Sequence, residues 1–244
     1  MLVSGGGGSE RAELPLFPLS SVLLPGLMLP LQIFEPRYRA LIEELLRIEE
    51  GQPRRFGVVA LRRGGPMAEV ARPAGAGGHP SVPEFHPIGC TAHLRRVDPH
   101  ADGRFSIVTS GEDKFRVLSV DAASRPYLVA DVEFLSDGVG DAQRAARDAP
   151  AVARMLRAYA RKLADAHAME IRLPELPEDP RLLSYVVAAS ILAQTSERQR
   201  LLAAPDAASR LRTERQLLHR ELVLLDSIVT VSTNELVKSL PNPN

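Results

Sequence analysis

The stretch that decides the fold is LPLFPLSSVLLPGLMLPLQIFEPRY, residues 14–38, an almost wholly apolar run that prolines interrupt. Each proline fixes φ and removes a backbone donor, so the run predicts short extended pieces at sheet edges and corners rather than a helix or a membrane span. Pro25 and Gly26 predict a tight turn. After this turn every second residue is a branched apolar one: Leu27, Leu29, Leu31 and Ile33. That alternation predicts a strand with one buried face, and Pro30 predicts that this strand lies at a sheet edge.

The hydrophobic period changes at FEPRY, residues 34–38. Pro36 suits the first position of a helix, and Glu35 suits the positive end of the helix dipole. Apolar side chains then recur at helical spacing: Tyr38, Leu41, Ile42, Leu45 and Ile48. These residues predict an amphipathic helix, which Gly51 is expected to end.

Strand signals dominate the next part of the chain. The predicted strands are residues 56–62, 88–97, 104–109, 114–120 and 127–135. Between them, the glycine- and proline-rich residues 72–83 predict a mobile loop, and residues 110–113 (SGED) predict the turn of a hairpin. These segments predict a mostly antiparallel sheet of about six strands, enough to curl or close into a barrel-like core.

After residues 136–141 (SDGVGD) the composition shifts to Ala, Arg, Leu and Glu, which is typical of helices. Asp179 and Pro180 predict the cap and first residue of one helix, and Asp206 can cap a longer one. The predicted fold class is therefore α+β. Its predicted parts are a flexible leader (1–13), a β domain (14–136), a helical bundle (142–230) and a tail (231–244).

The order LPLFPL, LLPG, LPLQIFEPRYRALI resembles the opening signature of the Lon protease amino-terminal (substrate-binding) domain family. Later segments are similar to the same family in the same order: FGVV, IGCTAHL, DGRFSIVTSGEDKFRV, YLVADVEFL and RQRLLAAPDAASRL. The resemblance covers roughly residues 14–228. Lys114 departs from it, because the family more often has an arginine there. The resemblance implies a PUA-like β-barrel or pseudobarrel followed by a carboxy-terminal helical bundle.

The same resemblance implies non-catalytic recognition of polypeptide, such as unfolded or degradation-bound protein, with a protease or chaperone as a further partner. Phe34, Glu35, Arg37 and Tyr38 are the candidate polypeptide-binding residues. Tyrosine and arginine often anchor interfaces. The local alternative is that Glu35 and Arg37 form a helix-start ion pair and that Tyr38 is a core residue.

The sequence predicts no enzyme activity and no cofactor. The chain lacks the pattern G-x-x-x-x-G-K followed by Ser or Thr, which would hold nucleotide phosphates. Full-length Lon-type proteases follow their amino-terminal domain with ATPase and Ser/Lys protease modules, and this chain ends at Asn244 before either. We therefore expect a stand-alone form that keeps only the recognition part.

Histidines recur every seven residues in one segment: His79, His86, His93 and His100. A zinc site built on them would need four ligands in tetrahedral geometry, and Cys90 and His93 differ in strand parity, so they should face opposite ways. We predict no metal site. Cys90 also lacks an adjacent activating base, so it is expected to be a buried, inert thiol.

The formal charge is zero, from 30 basic and 30 acidic residues, which argues against a nucleic-acid partner. The alternative function is an RNA-binding PUA-like module, and it requires three arginine pairs to converge on one face: Arg54 and Arg55, Arg62 and Arg63, and Arg95 and Arg96. A single cysteine, no secretory signal and no uninterrupted apolar span predict a cytoplasmic protein without membrane contact.

Overall fold

The computed structural model describes residues 10–49, 51–62 and 82–238, with side chains up to residue 227. The chain divides into two compact units. The first unit is Met1–Asp137 together with Ala193–Ala203, and the second is Gly138–Leu192 together with Ala204–Asn244. The predicted loop at residues 72–83 lies outside the described residues, except for its last two positions.

The described residues contain six strands and five helices. The strands are β1 (Arg11–Leu19), β2 (Met28–Ile33), β3 (Arg55–Ala60), β4 (Ile88–Pro99), β5 (Phe105–Asp121) and β6 (Val129–Leu135). The helices are α1 (Pro36–Leu46), α2 (Ala142–His167), α3 (Pro180–Ser190), α4 (Thr195–Leu202) and α5 (Ala207–Lys238). The predicted α+β class is confirmed. β1 begins inside the predicted leader and α5 continues into the predicted tail.

The six described strands form one sheet in the order β2-β5-β4-β3-β1-β6, and β6 also pairs with β5. The pairings therefore run from β5 through β4, β3, β1 and β6 back to β5. Only the β1–β3 pair is parallel. β2 hydrogen-bonds to β5 alone within the described residues, so the edge position expected from Pro30 is confirmed.

The two prolines of β1 were expected to lie at a sheet edge. Instead, β1 lies between β3 and β6 in the sheet. β1 pairs antiparallel with β6 through its first half and parallel with β3 through its second half, so Pro15 opposes Val129 and Pro18 opposes Val59. Because each half pairs on one side only, a missing proline donor can fall on the unpaired side of the strand. Buried side chains of β1 join the core, including Leu14 and Leu16.

The predicted turn at residues 110–113 is wrong, because β5 continues through them without reversing. The register between β4 and β5 shifts there, so that Glu112 and Asp113 form a bulge opposite Thr91. The Asp113 backbone N–H donates to Thr91 Oγ1 at 2.9 Å. A bulge uses the same small and polar residues as a turn, which explains the error.

The helix α1 begins at Pro36, as predicted, with Glu35 as its N-cap residue. It ends at Leu46, earlier than the expected stop at Gly51. The guanidinium of Arg54 donates to the carbonyls of Leu46 and Ile48, which satisfies acceptors that the end of the helix leaves open. Gly51 lies in the following turn with a positive φ of 92°.

The core of the first unit centres on Phe115, which is fully buried among aliphatic side chains: Leu14, Leu16, Val59, Leu128, Ala130 and Val132. Two glycines let β3 and β4 approach its ring. A Cβ on Gly89 would lie 2.4 Å from the Val58 carbonyl oxygen and 2.5 Å from Phe115, and a Cβ on Gly57 would lie 2.7 Å from Phe115. Larger residues do not fit at these two positions.

The described helices belong to different units. α4 lies in the first unit, where Gln199 Nε2 donates to the Ile88 carbonyl at 2.8 Å. In the second unit α2, α3 and α5 pack together. Asp179 caps α3 by accepting from the Arg181 N–H at 2.7 Å, as its position before Pro180 predicts.

None of the described helices is both long enough and apolar enough to cross a membrane.

Candidate functional site

One face of β2 is exposed and carries a series of side chains that we call the β2 surface. Its members follow one parity and continue one residue beyond the strand: Met28, Pro30, Gln32 and Phe34. Met28 and Phe34 are each 58% exposed, although both are large and apolar. The opposite parity points inward and ends at the buried Ile33. Exposed apolar side chains on one face of a strand are a common feature of protein-binding sites.

Among the described strands, none pairs with the outer side of β2. Pro30 pairs with Val108 but has no N–H, so this pair must be the non-hydrogen-bonded kind. The alternation of an antiparallel ladder then turns the polar groups of Leu29 and Leu31 toward β5. In agreement, the Leu29 carbonyl accepts from Thr109 Oγ1 at 3.1 Å. The N–H and C=O groups of Met28 and Gln32 therefore point away from β5.

The predicted residues at FEPRY are brought together, but not on one exposed face. Arg37 forms an ion pair with Glu35 at 2.6 Å, and its guanidinium lies 4.6 Å from the centre of the Tyr38 ring. Tyr38 is buried and stacks on Phe17 with ring centres 4.0 Å apart. Burial raises the pKa of Tyr38 to about 12. Only Phe34 of the four predicted residues is largely exposed.

These contacts give the four residues different roles. The guanidinium of Arg37 lies over the face of the Tyr38 ring while it pairs with Glu35 at the start of α1. Tyr38 holds α1 against β1 through Phe17. Phe34 is left facing solvent at the corner between β2 and α1. The arrangement therefore supports a rigid corner from which one aromatic side chain projects.

A cleft of about 270 Å³ is lined by residues of α1, β1, β3 and β6. Its polar wall contains Glu44, which accepts hydrogen bonds from Tyr127 Oη at 2.5 Å and from Arg125 at 3.1 Å. Burial and the Glu44 carboxylate raise the pKa of Tyr127 to about 12. None of the predicted binding residues lines this cleft.

Four of the arginines that an RNA partner would need already have partners. Arg54 binds backbone carbonyls, and Arg55 lies 3.8 Å from Asp113 and over the Phe134 ring. Arg95 pairs with Glu112, and Arg96 pairs with Asp98 at 2.8 Å. Arg63 lies outside the described residues. Arg62 is exposed, but it does not by itself form the converged basic patch that the RNA-binding alternative requires.

Lys114 and Cys90 are both buried. Lys114 pairs with Asp137 at 2.7 Å, so the position where the family more often has arginine holds a buried ion pair. Burial raises the pKa of the Cys90 thiol well above its ordinary value, which keeps it protonated and unreactive.

Sequence reasoning missed two features of the first unit. It overlooked Met28 and Gln32, although they share parity with Phe34 along an edge strand. It also treated Glu112 and Asp113 as turn residues, whereas the bulge brings them to His93 of the neighbouring strand β4. Burial lowers the pKa of His93, which favours a neutral imidazole at neutral pH.

Comparison with known proteins gives one consistent family. The family model described as the ATP-dependent protease La (LON) substrate-binding domain matches residues 13–220. This match confirms the resemblance seen in the sequence.

Relatives and solved structures agree with that match. The chain is 28% identical over 216 residues to Lon protease of Anaeromyxobacter dehalogenans and 28% identical over 234 residues to Lon protease 2 of Syntrophobacter fumaroxidans. These alignments cover 88% and 93% of this chain but only 24% and 27% of the relatives, so the chain spans about a quarter of their length.

Two similar structures support the fold. One is a Lon N-terminal domain protein from Xanthomonas campestris, with a TM-score of 0.55 and 24% identity. The other is the N-terminal domain of Mycobacterium avium complex Lon protease, with a TM-score of 0.54 and 19% identity. Each alignment covers 85% of this chain and 98% of the other.

Proposed function

The chain belongs to the LON substrate-binding domain family, and from this premise we propose that it is a non-catalytic polypeptide-recognition protein that binds extended segments of unfolded or degradation-bound proteins at the β2 surface. The proposal rests on β2, an edge strand with exposed apolar side chains on one face. Its Met28 and Gln32 N–H and C=O groups point away from the sheet. A protease or chaperone would act on the bound client.

The backbone of β2 supplies affinity that does not depend on client sequence. An extended segment that lies alongside β2 can exchange hydrogen bonds with the outward N–H and C=O groups of Met28 and Gln32. Pro30 contributes an acceptor but no donor, which interrupts the edge and discourages uncontrolled pairing between copies of the chain. The edge is thus suited to short, reversible strand addition.

The side chains of the β2 surface supply selectivity for apolar clients. Met28 and Phe34 flank Pro30 and Gln32, so a bound strand would meet an apolar contact near each end. Methionine adapts its shape to different partners, and a projecting aromatic ring buries a large area. This combination favours clients that expose hydrophobic residues, as unfolded proteins do.

The closed run of strand pairings supports a PUA-like pseudobarrel as the rigid scaffold of this surface. In the same proposal the helical residues form a carboxy-terminal bundle. Catalysis and cofactors have no part in the function proposed, and the buried free Cys90 is in keeping with a cytoplasmic setting.

Fluorescence anisotropy with labelled β-casein, an unfolded protein, tests the proposal. A Met28→Ser, Phe34→Ser double variant should bind at least about tenfold more weakly than the wild type, because hot-spot side chains each contribute more than about 1 kcal/mol. The matched control is Leu118→Ser. Leu118 is 45% exposed and lies toward the end of β5 that is remote from β2.

The control should bind casein as the wild type does. Equal casein affinity for the wild type and a folded double variant would refute the assignment of this surface. Loss of binding in the Leu118→Ser control would refute it as well, since the effect would then not be specific to β2.

A further inference from the structure

We propose that His93, Glu112 and Asp113 form a binding site for a divalent transition-metal ion of the zinc class. One imidazole nitrogen and two carboxylate oxygens, one from each residue, lie within 4.8 Å of one another. His93 comes from β4, and the two acidic residues come from the bulge in β5. The bulge places two consecutive acidic residues beside the same histidine, which a regular ladder would not do.

The spacing of the donor atoms suits a metal ion. His93 Nε2 lies 3.3 Å from Glu112 Oε2. Bonds of about 2.1 Å to zinc place two tetrahedral ligand atoms about 3.4 Å apart, so one ion can reach both atoms without moving them. Asp113 is the adjustable ligand, because its side chain is 55% exposed and can shift toward the other two.

The surroundings of the His93 Nε2 atom give an independent reason to expect a ligand. This nitrogen is buried and makes no hydrogen bond, although it faces a carboxylate oxygen. A buried polar atom without a partner costs free energy. A metal ion between Nε2 and the Glu112 oxygen would satisfy both atoms at once.

The neighbouring arginines orient the carboxylates and leave Glu112 Oε2 to face the histidine. Glu112 Oε1 accepts hydrogen bonds from Arg95 and, at 3.4 Å, from Ser110 Oγ, while Oε2 is the atom nearest His93. Arg55 lies 3.8 Å from Asp113 Oδ2. Outer partners of this kind position metal ligands in known sites. Their positive charges also lower the affinity expected, which favours moderate binding over tight binding.

The ligand set defines the class of ion. One imidazole with two carboxylates suits zinc and similar first-row dications better than soft, thiolate-preferring Cu⁺. Three protein ligands leave at least one coordination position for water or for a client side chain. A bound ion would also link β4 to the bulge of β5.

Calorimetric titration of ZnCl₂ into the purified, chelator-treated full chain tests the site. The wild type should bind one ion saturably, and His93→Asn and Asp113→Asn should each weaken this binding by at least about tenfold. His100→Asn is the matched control, because the His100 side chain is exposed and bonds Ser106 Oγ, at 2.6 Å, rather than a carboxylate. Cobalt substitution adds a spectroscopic test, since ligand-field bands of bound Co²⁺ should appear in the wild type and the control alone.

Thermal melting provides the second measurement. Zinc should raise the melting temperature of the wild type and of His100→Asn, because a ligand that binds the folded state stabilises it. Asp113→Asn retains most local contacts and should stay folded even if His93→Asn does not. Absence of saturable zinc binding by the wild type, or undiminished binding by Asp113→Asn, would overturn the proposal.

Discussion

Replacement of Tyr38 by alanine separates the core role of this residue from a role in binding. Tyr38 is buried, its ring stacks on Phe17 at 4.0 Å, and Arg37 covers it at 4.6 Å. Truncation of a buried aromatic side chain costs about 3–5 kcal/mol. The stacked pair and the cation–π contact each contribute about 0.5–1.5 kcal/mol, which places Tyr38→Ala near the upper part of that range.

The expected loss of about 4 kcal/mol can be measured by urea unfolding. With a slope of about 2 kcal/mol per molar urea, the midpoint should fall by about 2 M. Infrared absorption of the amide I band suits this measurement, because all strands in the described residues belong to the first unit. The β-sheet component therefore reports on the unit that contains Tyr38.

Tyr38→Phe is the matched control, because it keeps the ring and its stack on Phe17. Removal of the hydroxyl should cost no more than about 1.5 kcal/mol. An unchanged midpoint for Tyr38→Ala would show that the ring is not part of the core, and it would restore Tyr38 as a surface residue available to a client.

Three further predictions concern stability. Pro36→Gly should lower the free energy of unfolding by about 1 kcal/mol, because glycine restores conformational freedom that proline removes from the unfolded chain. Urea unfolding measures this change. An equal or higher midpoint for the variant would contradict a helix start at Pro36. Gly89→Ala should cost at least about 1–3 kcal/mol, since the added Cβ would meet the Val58 carbonyl at 2.4 Å and Phe115 at 2.5 Å. Differential scanning calorimetry should show the lower melting temperature, and wild-type melting would refute the close approach of β3 and β4. Burial raises the pKa of Glu214 well above the value of about 4.3 typical of an unfolded chain. The folded state thus retains a proton that the unfolded chain has lost, and stability should fall as pH rises from about 4.3 through the raised pKa. Glu214→Gln should remove this fall in stability above about pH 4.3, whereas an unchanged pH dependence in the variant would show that Glu214 does not cause it.

Local signals in the sequence were enough for several elements. The start of α1 at Pro36 and the cap of α3 at Asp179 depend on residues within one helical turn, so the sequence specifies them directly. The edge position of β2 follows from Pro30 for a similar reason, because a missing donor excludes a central position paired on both sides.

Long-range contacts decided what the sequence could not predict. The bulge in β5 depends on the pairing of Asp113 with Thr91, 22 residues away. The position of α4 in the first unit depends on the bond from Gln199 to Ile88, 111 residues away. The residues next to each of these positions do not specify such distant partners. A bulge was therefore predicted as a turn, and the contact between α4 and β4 was not predicted.

In the candidate site, too, local residues predicted some features and long-range contacts decided the others. Phe34 was predicted and is exposed, whereas Tyr38, predicted on the same grounds, is buried by Phe17 of β1. The metal proposal could not come from the sequence, because His93 and Glu112 approach only through the β4–β5 register.

Hydrogen exchange of the β2 amides, with and without saturating β-casein, tests the central claim most directly. Mass spectrometry with electron-transfer fragmentation can resolve the individual amides. The account predicts that casein slows exchange at Met28 and Gln32, whose N–H groups face outward, and leaves Leu29 and Leu31 unchanged because they already bond to β5. Unaltered exchange at Met28 and Gln32 when casein is bound would contradict strand addition at β2.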